Sequence, residues 1–311
     1  MLDLSIIIVN YKTPSITFDC IESIYKQNST LNFEIIVVDN DSQDNSEAFV
    51  TEKFSEVIWI NNHSNEGFGR ANNIGIKKSK GEFILLLNSD TIIIDNAIQN
   101  ALSRLKSDCD NTGIITCQLL NKDGSLQKSF YTKNASYKEI LSYNLFYDYF
   151  FRSNKKNDTE LIMAIHGAFM MFEKGKIEKV GFFDQDFFMY SEEFEWCNRI
   201  LKNGLTLKIY DDIFIYHVEE GSSISKDWNI KQRYLSGALL LKKTHGSLGL
   251  LLYLSLHFLN LVTNSILMWK LDKKYRNEFV ESQKYFWSLT KGYFKILFGT
   301  YQRPLKLINK K

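Results

Sequence analysis

The chain has 311 residues, of which 44% are hydrophobic, 24% charged and 14% aromatic. This composition excludes a disordered or low-complexity chain, and the length indicates one large domain or two ordinary ones. The formal net charge of +2 conceals an asymmetry, because residues 226–311 carry sixteen Lys and Arg against four Asp and Glu, which leaves 22 basic and 32 acidic residues in 1–225. We therefore predict an acidic body, residues 1–225, and a basic C-terminal region, residues 226–311.

The cysteines and the N-terminus predict a compartment. Cys20, Cys109, Cys117 and Cys197 are scattered without C-x-x-C spacing, which argues against a zinc ribbon or a disulfide framework. The first apolar run begins almost at Met1 with no basic segment ahead of it, so a secretory signal is not expected. A reducing cytosol fits these features best.

Short apolar runs alternate with helical patterns over the first 90 residues. The runs are too short for helices and rich in β-branched side chains, whereas the segments between them carry apolar residues at helical spacing. The predicted strands are Ser5–Val9, Glu34–Val38, Val57–Ile60 and Phe83–Leu87, and the predicted helices are 15–27, 44–54 and 69–79. Such alternation predicts an α/β fold with a parallel sheet and right-handed crossovers.

Polar clusters follow these strands directly. Tyr11 follows the first strand, Asp39 the second, and Asn88 and Asp90 the fourth. Ligands of open parallel sheets bind beyond the carboxyl ends of the strands. A carboxylate in such a position is costly to desolvate unless something binds it, so Asp39 and Asp90 are candidate ligand-binding residues.

A glycine-rich segment leads into the third predicted helix. The turn after the first strand lacks G-x-G-x-x-G, which argues against a Rossmann dinucleotide site. Gly67 and Gly69 instead precede the helix, where small residues let backbone N–H groups approach an anion such as a diphosphate. A tight turn explains the same glycines equally well.

These elements, taken in order, resemble the family 2 glycosyltransferases of GT-A fold, particularly the rhamnosyltransferase-like branch. Asn88-Ser89-Asp90 resembles the metal-binding D-x-D element of that family, with Asn in the first position. The resemblance covers about residues 4–225 and includes Ser5–Tyr11, Asp39–Ser42, Asn65–Gly75, Leu87–Asp90, His166–Met171, Val180–Asp184, Phe187–Arg199 and Ile215–Ser223.

The resemblance implies a mostly parallel, Rossmann-like sheet flanked by helices, with a helical C-terminal extension. It also implies inverting transfer of a sugar from a UDP- or dTDP-sugar donor to a hydroxyl group of a glycan. The implied donor-binding residues are Tyr11, Asp39, Gly67, Gly69, Asn73, Asn88 and Asp90, with Asp39 accepting hydrogen bonds from the base and Tyr11 stacking on it. Mg²⁺ or Mn²⁺ is expected on Asp90 and His217, although an ordinary core or surface histidine is the competing interpretation of His217.

The same resemblance assigns the catalytic base. Glu193 aligns with the catalytic Asp of the family, which implies single displacement with inversion, and Glu192 is the alternative base. The implied acceptor side comprises His166, Gly167, Asp184 and Glu192. An acidic first helical turn, stabilised by the helix dipole, explains one of the acidic residues in this segment more readily than all of them.

The C-terminal region contains a largely apolar stretch, Leu248–Met268. Tyr253, His257, Asn260 and Asn264 share one helical face of it, which favours an amphipathic helix on a surface over a simple membrane span. Basic and aromatic residues around the stretch suit an anionic bilayer, and a protein–protein interface is the alternative. Nucleic acid is disfavoured because the body is acidic and no RNP-type motif occurs.

We therefore predict a cytoplasmic enzyme, peripherally attached to the inner face of the cell membrane, that extends a glycan, lipid-linked in cell-surface polysaccharide synthesis. A homo-oligomer is compatible with the sequence. One rival is a non-catalytic nucleotide-sugar-binding or scaffold subunit of a polysaccharide assembly complex. The other is a nucleotidyltransferase, whose glycine-rich loop after the first strand is missing here.

Overall fold

The computed structural model of the chain describes residues 2–27, 31–108, 111–131, 162–218, 225–266 and 273–307. The parts of the predictions that concern Cys109, residues 219–223 and residues 267–268 lie outside these ranges. The seven elements predicted for the first 90 residues are confirmed. They are β1 (Leu4–Asn10), α1 (Pro14–Gln27), β2 (Phe33–Asp39), α2 (Ser46–Thr51), β3 (Ile58–Asn61), α3 (Phe68–Lys78) and β4 (Phe83–Asn88).

Strand β1 lies in the interior of the sheet and pairs in parallel with both β2 and β4, in the order β3-β2-β1-β4. Both of its faces are buried, since Ile6 and Ile8 pack in one core cluster and Ile7 in another. The chain moves outward in one direction through β2 and β3 and returns to the other side of β1 as β4. Such a reversal opens a crevice at the carboxyl ends of the strands, where Asn10 pairs with Asp39.

The second half of the sheet is mixed. Beyond β4 the order continues β10-β6-β11-β5, with β10 antiparallel to both β4 and β6. His217, the last residue of β11, pairs with Thr91 in β5 and so reaches the end of β4. The added elements are β5 (Thr91–Ile93), α4 (Ala97–Ser107), β6 (Thr112–Leu120), β7 (Leu126–Gln127), β10 (Phe169–Glu173) and β11 (Thr206–His217), with a small separate sheet of β8 (Phe130–Tyr131) and β9 (Ala164–Ile165).

Helix α5 (Lys174–Glu178) leads to a loop that fixes the start of helix α6 (Glu192–Lys202). Arg199 pairs with Glu195 at 2.7 Å and donates to the carbonyl oxygens of Val180 and Phe182. Trp196 is fully buried and donates its indole N–H to the carbonyl of Gly181 at 2.8 Å. Arg199 and Trp196 therefore hold α6 against the loop.

The C-terminal region forms two long helical elements, α7 (Lys226–Ile266) and α8 (Lys273–Phe298). Gly246, at φ 73° and ψ −177°, interrupts α7, so its two halves are separate helices that meet at this residue. The region packs against the body, because Phe187 joins a core cluster with Leu235 and Leu289. Lys243 of α7 adds ion pairs to Asp184 at 2.7 Å and to Asp186 at 2.6 Å. The division at residue 225 stays a prediction.

Candidate active site

A cavity of about 450 Å³ lies beyond the carboxyl end of β4. Segments far apart in the chain line it: the end of β4, the small sheet, the start of α6 and the first half of α7. The lining residues are Phe68, Asn88, Tyr131, His166, Gly167, Met189, Tyr190, Ser191, Glu192, Glu193, Phe194 and Arg233. The cavity therefore brings together five residues predicted for the site: Asn88, His166, Gly167, Glu192 and Glu193.

Asp90 and His217 form a pair beside Asn88. The Nε2 of His217 lies 3.2 Å from Oδ1 of Asp90 and 3.3 Å from Nδ2 of Asn88. Its Nδ1 lies 2.7 Å from Oε1 of Gln127, and an acceptor at this position favours the tautomer with the proton on Nδ1 and the lone pair on Nε2. His217 is buried, and its Nε2 faces the carboxylate of Asp90.

This donor set fits a hard divalent cation that takes most of its ligands from a bound diphosphate and water. One imidazole nitrogen and one carboxylate oxygen face each other, and Gln127 fixes the orientation of the imidazole as partners of metal-bound histidines do. Within the described residues no group of three or more His, Cys, Asp and Glu side chains is arranged to hold a metal. The assignment of Asp90 and His217 as metal ligands stays a prediction.

Glu192 and Glu193 line the same cavity as Asn88. One carboxyl oxygen of each, Oε2, is buried without a hydrogen-bond partner. Burial raises the pKa of both carboxyl groups, and the charge of Glu193 raises the pKa of Glu192 further. Two such carboxyls share a proton more readily than they carry two charges.

The surroundings of the pair distinguish its members. Glu192 is only 3% exposed, whereas Glu193 is partly exposed and the positive charge of Arg233 lowers its pKa, opposing the effect of burial. Both features favour ionisation at Glu193 over ionisation at Glu192. Arg233 itself rests 4.5 Å above the ring of Tyr190, a cation–π contact within the cavity wall.

The backbone before α6 aims this pair into the cavity. Tyr190 and Ser191 both adopt left-handed conformations, at φ 69° and 68°, which non-glycine residues seldom do. Ser236 of α7 donates its hydroxyl hydrogen to the carbonyl of Met189 at 2.7 Å and holds the turn from the other side. Strained residues held in this way are frequent at functional sites.

His166 is a neutral imidazole in the cavity wall. Its Nδ1 accepts a hydrogen bond from the backbone N–H of Ala168 at 3.2 Å, so Nε2 carries the ring proton. Burial and the neighbouring His217 lower its pKa to about 4. The rings of the two histidines stand 5.3 Å apart. His166 is therefore a hydrogen-bond donor at neutral pH rather than a charge.

Asp39 lies at the carboxyl end of β2, apart from the residues that line the cavity. Its Oδ1 accepts hydrogen bonds from Nδ2 of Asn10 at 2.6 Å and from the hydroxyl of Ser42 at 2.5 Å, and its Oδ2 accepts from the backbone N–H of Ser42 at 2.9 Å. These contacts compensate the burial of the carboxylate. One acceptor position remains on Oδ2. Tyr11, partly exposed, follows the neighbouring strand, and the base-binding role of both stays a prediction.

Gly67, Gly69 and Asn73 contact protein where the sequence led us to expect a ligand. A Cβ atom on Gly67 would lie 1.8 Å from the carbonyl oxygen of Phe188, and one on Gly69 would lie 3.0 Å from Cβ of Phe183. Asn73 exchanges two hydrogen bonds with the backbone of Phe183, at 2.8 and 3.1 Å. The close approach predicted at these positions is made by residues 183–188, so all three position the loop that precedes Glu192.

Asp184 also lies away from the cavity lining. Its carboxylate pairs with Lys243 of α7 and accepts the backbone N–H of Asp186. Its described contacts thus attach the C-terminal region to the body, and its acceptor-side role stays a prediction.

Arg233 and Gln127 are the site residues that sequence reasoning missed. Arg233 belongs to no recognisable motif, although it lies in the basic C-terminal region. Gln127 follows a polar turn after β6, and only the fold brings it to His217.

Comparisons with known proteins agree with this architecture. Residues 5–181, more than half of the chain, match the family described as Glycosyl transferase family 2. The chain is 26% identical over 260 residues to "Low-salt glycan biosynthesis hexosyltransferase Agl10" of Haloferax volcanii, covering 78% of each protein.

Two solved structures are similar in fold. Mannosyltransferase PcManGT from Pyrobaculum calidifontis, in complex with GDP-Man and Mn²⁺, aligns with 95% of this chain and 87% of its own at a TM-score of 0.58 and 14% identity. S. aureus TarS 1–349, in complex with UDP-GlcNAc, aligns with 95% of this chain and 82% of its own at a TM-score of 0.56 and 14% identity. The fold is therefore that of the GT-A glycosyltransferases.

The protein class follows from these findings: this is a glycosyltransferase enzyme. Within that class, the chain belongs to glycosyl transferase family 2.

Proposed function

We propose that this protein is an inverting, metal-dependent glycosyltransferase that moves a sugar from a nucleoside-diphosphate donor, UDP- or dTDP-linked, to a hydroxyl group of a lipid-linked glycan. The observation that carries the proposal is the buried pair Glu192 and Glu193, whose unpartnered oxygens share a cavity wall with Asn88, next to Asp90 and His217. The rhamnosyltransferase branch remains part of this proposal.

Glu193 is the general base in this mechanism. Its carboxylate takes the proton of the acceptor hydroxyl while the acceptor oxygen forms a bond to the anomeric carbon. The bond from that carbon to the diphosphate oxygen breaks on the opposite face, which inverts the configuration. Burial raises the pKa of Glu193 and so strengthens it as a base, while Arg233 keeps it ionised.

The donor diphosphate carries charge that increases as it leaves. Asp90 and His217 would hold Mg²⁺ or Mn²⁺, and such a cation supplies charge neutralisation at the phosphate oxygens. Asn88 keeps the His217 imidazole in place through its amide, and Gln127 fixes the tautomer. His166 donates a hydrogen bond from its neutral ring to a polar group of the substrate.

A lipid-linked acceptor on the cytoplasmic face of the membrane agrees with the basic C-terminal region and with the relative named for low-salt glycan biosynthesis. Helix α7 also contributes Arg233 to the cavity, so the region that approaches the acceptor is continuous with the site.

A thermal-shift screen tests the proposal as a whole. We expect one or a few UDP- or dTDP-sugars to raise the Tm in the presence of Mn²⁺ or Mg²⁺ and to do so much less in EDTA, because ligands stabilise the state that binds them. The matched control is the same screen with the free sugars. A protein that responds to no nucleotide-sugar with either metal would contradict the proposal.

Glu192→Gln tests the division of labour within the pair. Because Glu192 holds the proton, the amide replaces a neutral acid, and we expect transfer activity within about tenfold of wild type, well short of the loss that follows removal of a general base. A carboxyl with a raised pKa in the folded state binds more protons folded than unfolded, so wild-type stability falls as pH rises above the ordinary Glu range.

Glu192→Gln removes part of that fall in stability. The Tm of the variant relative to the Tm of wild type should therefore increase between pH 5 and pH 8, as measured by calorimetry. Two parallel curves of Tm against pH would show that Glu192 is not the protonated member of the pair.

A further inference from the structure

The C-terminal helices expose an unusual apolar face. In the second half of α7 seven large apolar side chains are exposed, from 41% exposure at Val262 to 78% at Leu248, and the exposed polar side chains among them are the small ones of Ser247, Ser255 and Ser265. The spacing of the apolar residues places them on one side of the helix. The set comprises Leu248, Leu251, Leu252, Phe258, Leu259, Val262 and Ile266. Residues 244–269 contain no Asp, Glu, Lys or Arg.

The larger polar side chains of this half of α7, Tyr253, His257 and Asn260, point the other way. Asn260 is buried, Tyr253 and His257 are partly buried, and the ring of His257 packs 4.9 Å from Phe286 of α8. A helix of a soluble domain turns its polar face to water and its apolar face inward. Here the more polar face lies against the protein and the apolar face is open, as expected of a helix whose outer surroundings are hydrocarbon.

Helix α8 continues this face. Trp287, Phe294 and Phe298 are more than half exposed, and Trp287 meets Phe258 of α7 edge-to-face at 6.1 Å. We call the exposed apolar side chains of 248–266 together with Trp287, Phe294 and Phe298 the hairpin face. A contiguous exposed apolar surface of this kind marks an interaction site.

Lysines border the hairpin face along α8. Lys284, Lys291 and Lys295 are exposed, and they follow the aromatic residues at helical spacing. Residues 282–311 contain no acidic side chain. The surface therefore combines an apolar face with a positive edge, which matches the headgroup and acyl boundary of an anionic bilayer.

One helix of the described residues, Asp227–Thr263, is long and apolar enough to cross a membrane, but the pairing of the two helices argues against such a crossing. Ser247 contacts Leu297 and Ser265 contacts Gln283, so α7 and α8 run antiparallel along each other. A span formed by α7 would carry α8 with it and place Lys284 and Lys291 in the hydrocarbon, at high energetic cost. The pair must lie along the surface.

A second copy of the chain fits the surface less well. A two-fold interface sets the same patch of each subunit against the other. Lys284, Lys291 and Lys295 would then approach their own counterparts with no carboxylate from residues 282–311 to compensate them.

We propose that the hairpin face is an in-plane docking surface for an anionic lipid bilayer. The half of α7 before Gly246 contributes Arg233 to the cavity wall, and the half after it carries the α7 part of the hairpin face. Arg233 and the start of the hairpin face are therefore roughly 20 Å apart along α7. Only the link to a lipid-linked acceptor rests on the proposed function. Attachment to the bilayer itself requires neither donor nor acceptor.

Vesicle flotation of the full-length protein tests the proposal. We expect binding to vesicles of phosphatidylcholine and phosphatidylglycerol in equal parts, weak binding to pure phosphatidylcholine, and release by high salt or alkaline carbonate. Each lysine at an anionic surface contributes roughly fivefold in affinity, so the combined change Lys284→Gln, Lys291→Gln and Lys295→Gln should weaken binding by roughly 100-fold. The control, Lys77→Gln, Lys78→Gln and Lys80→Gln, removes the same charge from exposed body residues and should change it by less than about tenfold.

A second variant, Leu252→Ser with Trp287→Ser, removes apolar contacts from exposed positions and should also abolish flotation, with circular dichroism showing that both variants fold. Equal loss of binding in the lysine control would overturn the proposal, as would resistance of the bound protein to carbonate.

Light scattering tests whether a second copy occupies the face instead. A wild-type dimer that dissociates in Leu252→Ser with Trp287→Ser would identify a second copy as the occupant. Release of free sugar from the donor into water, measured without vesicles, should be unchanged in these variants, so a failure of docking and a failure of the proposed function are distinguishable.

Discussion

Glu193→Gln is expected to lower kcat for sugar transfer by roughly 10²–10⁴-fold while leaving donor affinity unchanged. The amide keeps the shape of the side chain but cannot accept the acceptor proton. Its neighbour Glu192 is more buried and holds the shared proton, so it is poorly placed to substitute. Single-turnover transfer and donor titration by calorimetry measure the two quantities separately.

The controls for this variant locate the effect. Glu178→Gln makes the same chemical change at an exposed position on α5 and should leave kcat within about twofold of wild type. The acid limb of the wild-type pH–rate profile should lie above the ordinary Glu range, because burial raises the pKa of Glu193 and the base acts only when ionised. Full activity of Glu193→Gln would move the base to Glu192 or out of this pair.

The sheet up to β4 was predictable from the sequence because local signals agree there. β1 and β4 are short apolar runs buried on both faces, and each is followed at once by polar residues. The rule that ligands bind beyond the carboxyl ends of parallel strands then selected Asn88 and Asp90 correctly as neighbours of His217. No comparable rule predicts that β10 and β11 join the sheet, since their partners are distant in the chain.

The group that approaches the glycine-rich segment could not be identified from the sequence. Gly67 and Gly69 indicate only that some group approaches the backbone closely. A diphosphate and a protein loop would both require a residue without a Cβ atom at these positions. The approaching atoms belong to Phe188 and Phe183, more than a hundred residues away. Arg233 is hidden for a similar reason, because its place in the cavity depends on how α7 packs against the turn at Met189.

The C-terminal region is therefore part of the site as well as an attachment. Lys243 pairs with Asp184 and Asp186 in the loop before α6, and Ser236 holds the turn that aims Glu192 and Glu193. The opposite charges of body and C-terminal region agree with these ion pairs. These contacts connect α7 directly to the segment that precedes Glu192 and Glu193.

Asp90→Ala is expected to abolish the effect of Mn²⁺ on donor binding and to lower kcat by about a thousandfold, which corresponds to several kcal/mol of lost charge stabilisation at the leaving diphosphate. The substitution leaves His217 as the one protein ligand of the pair, and a lone imidazole binds Mg²⁺ or Mn²⁺ weakly because these ions prefer oxygen ligands. Donor titrations with Mn²⁺ and with EDTA, together with steady-state transfer rates, give both quantities.

The matched control is Asp211→Ala, which removes an exposed carboxylate from β11, the strand that ends in His217. It should keep the metal effect and change kcat by less than about twofold.

Gln127→Leu provides an intermediate case, because it leaves both ligands in place but removes the acceptor that orients His217. Changes of this kind lower metal affinity or activity by about 10–100-fold. If Asp90→Ala bound donor with the same metal dependence as wild type, the cation would be held elsewhere, and the facing oxygen and nitrogen of Asp90 and His217 would be a hydrogen-bonded pair only.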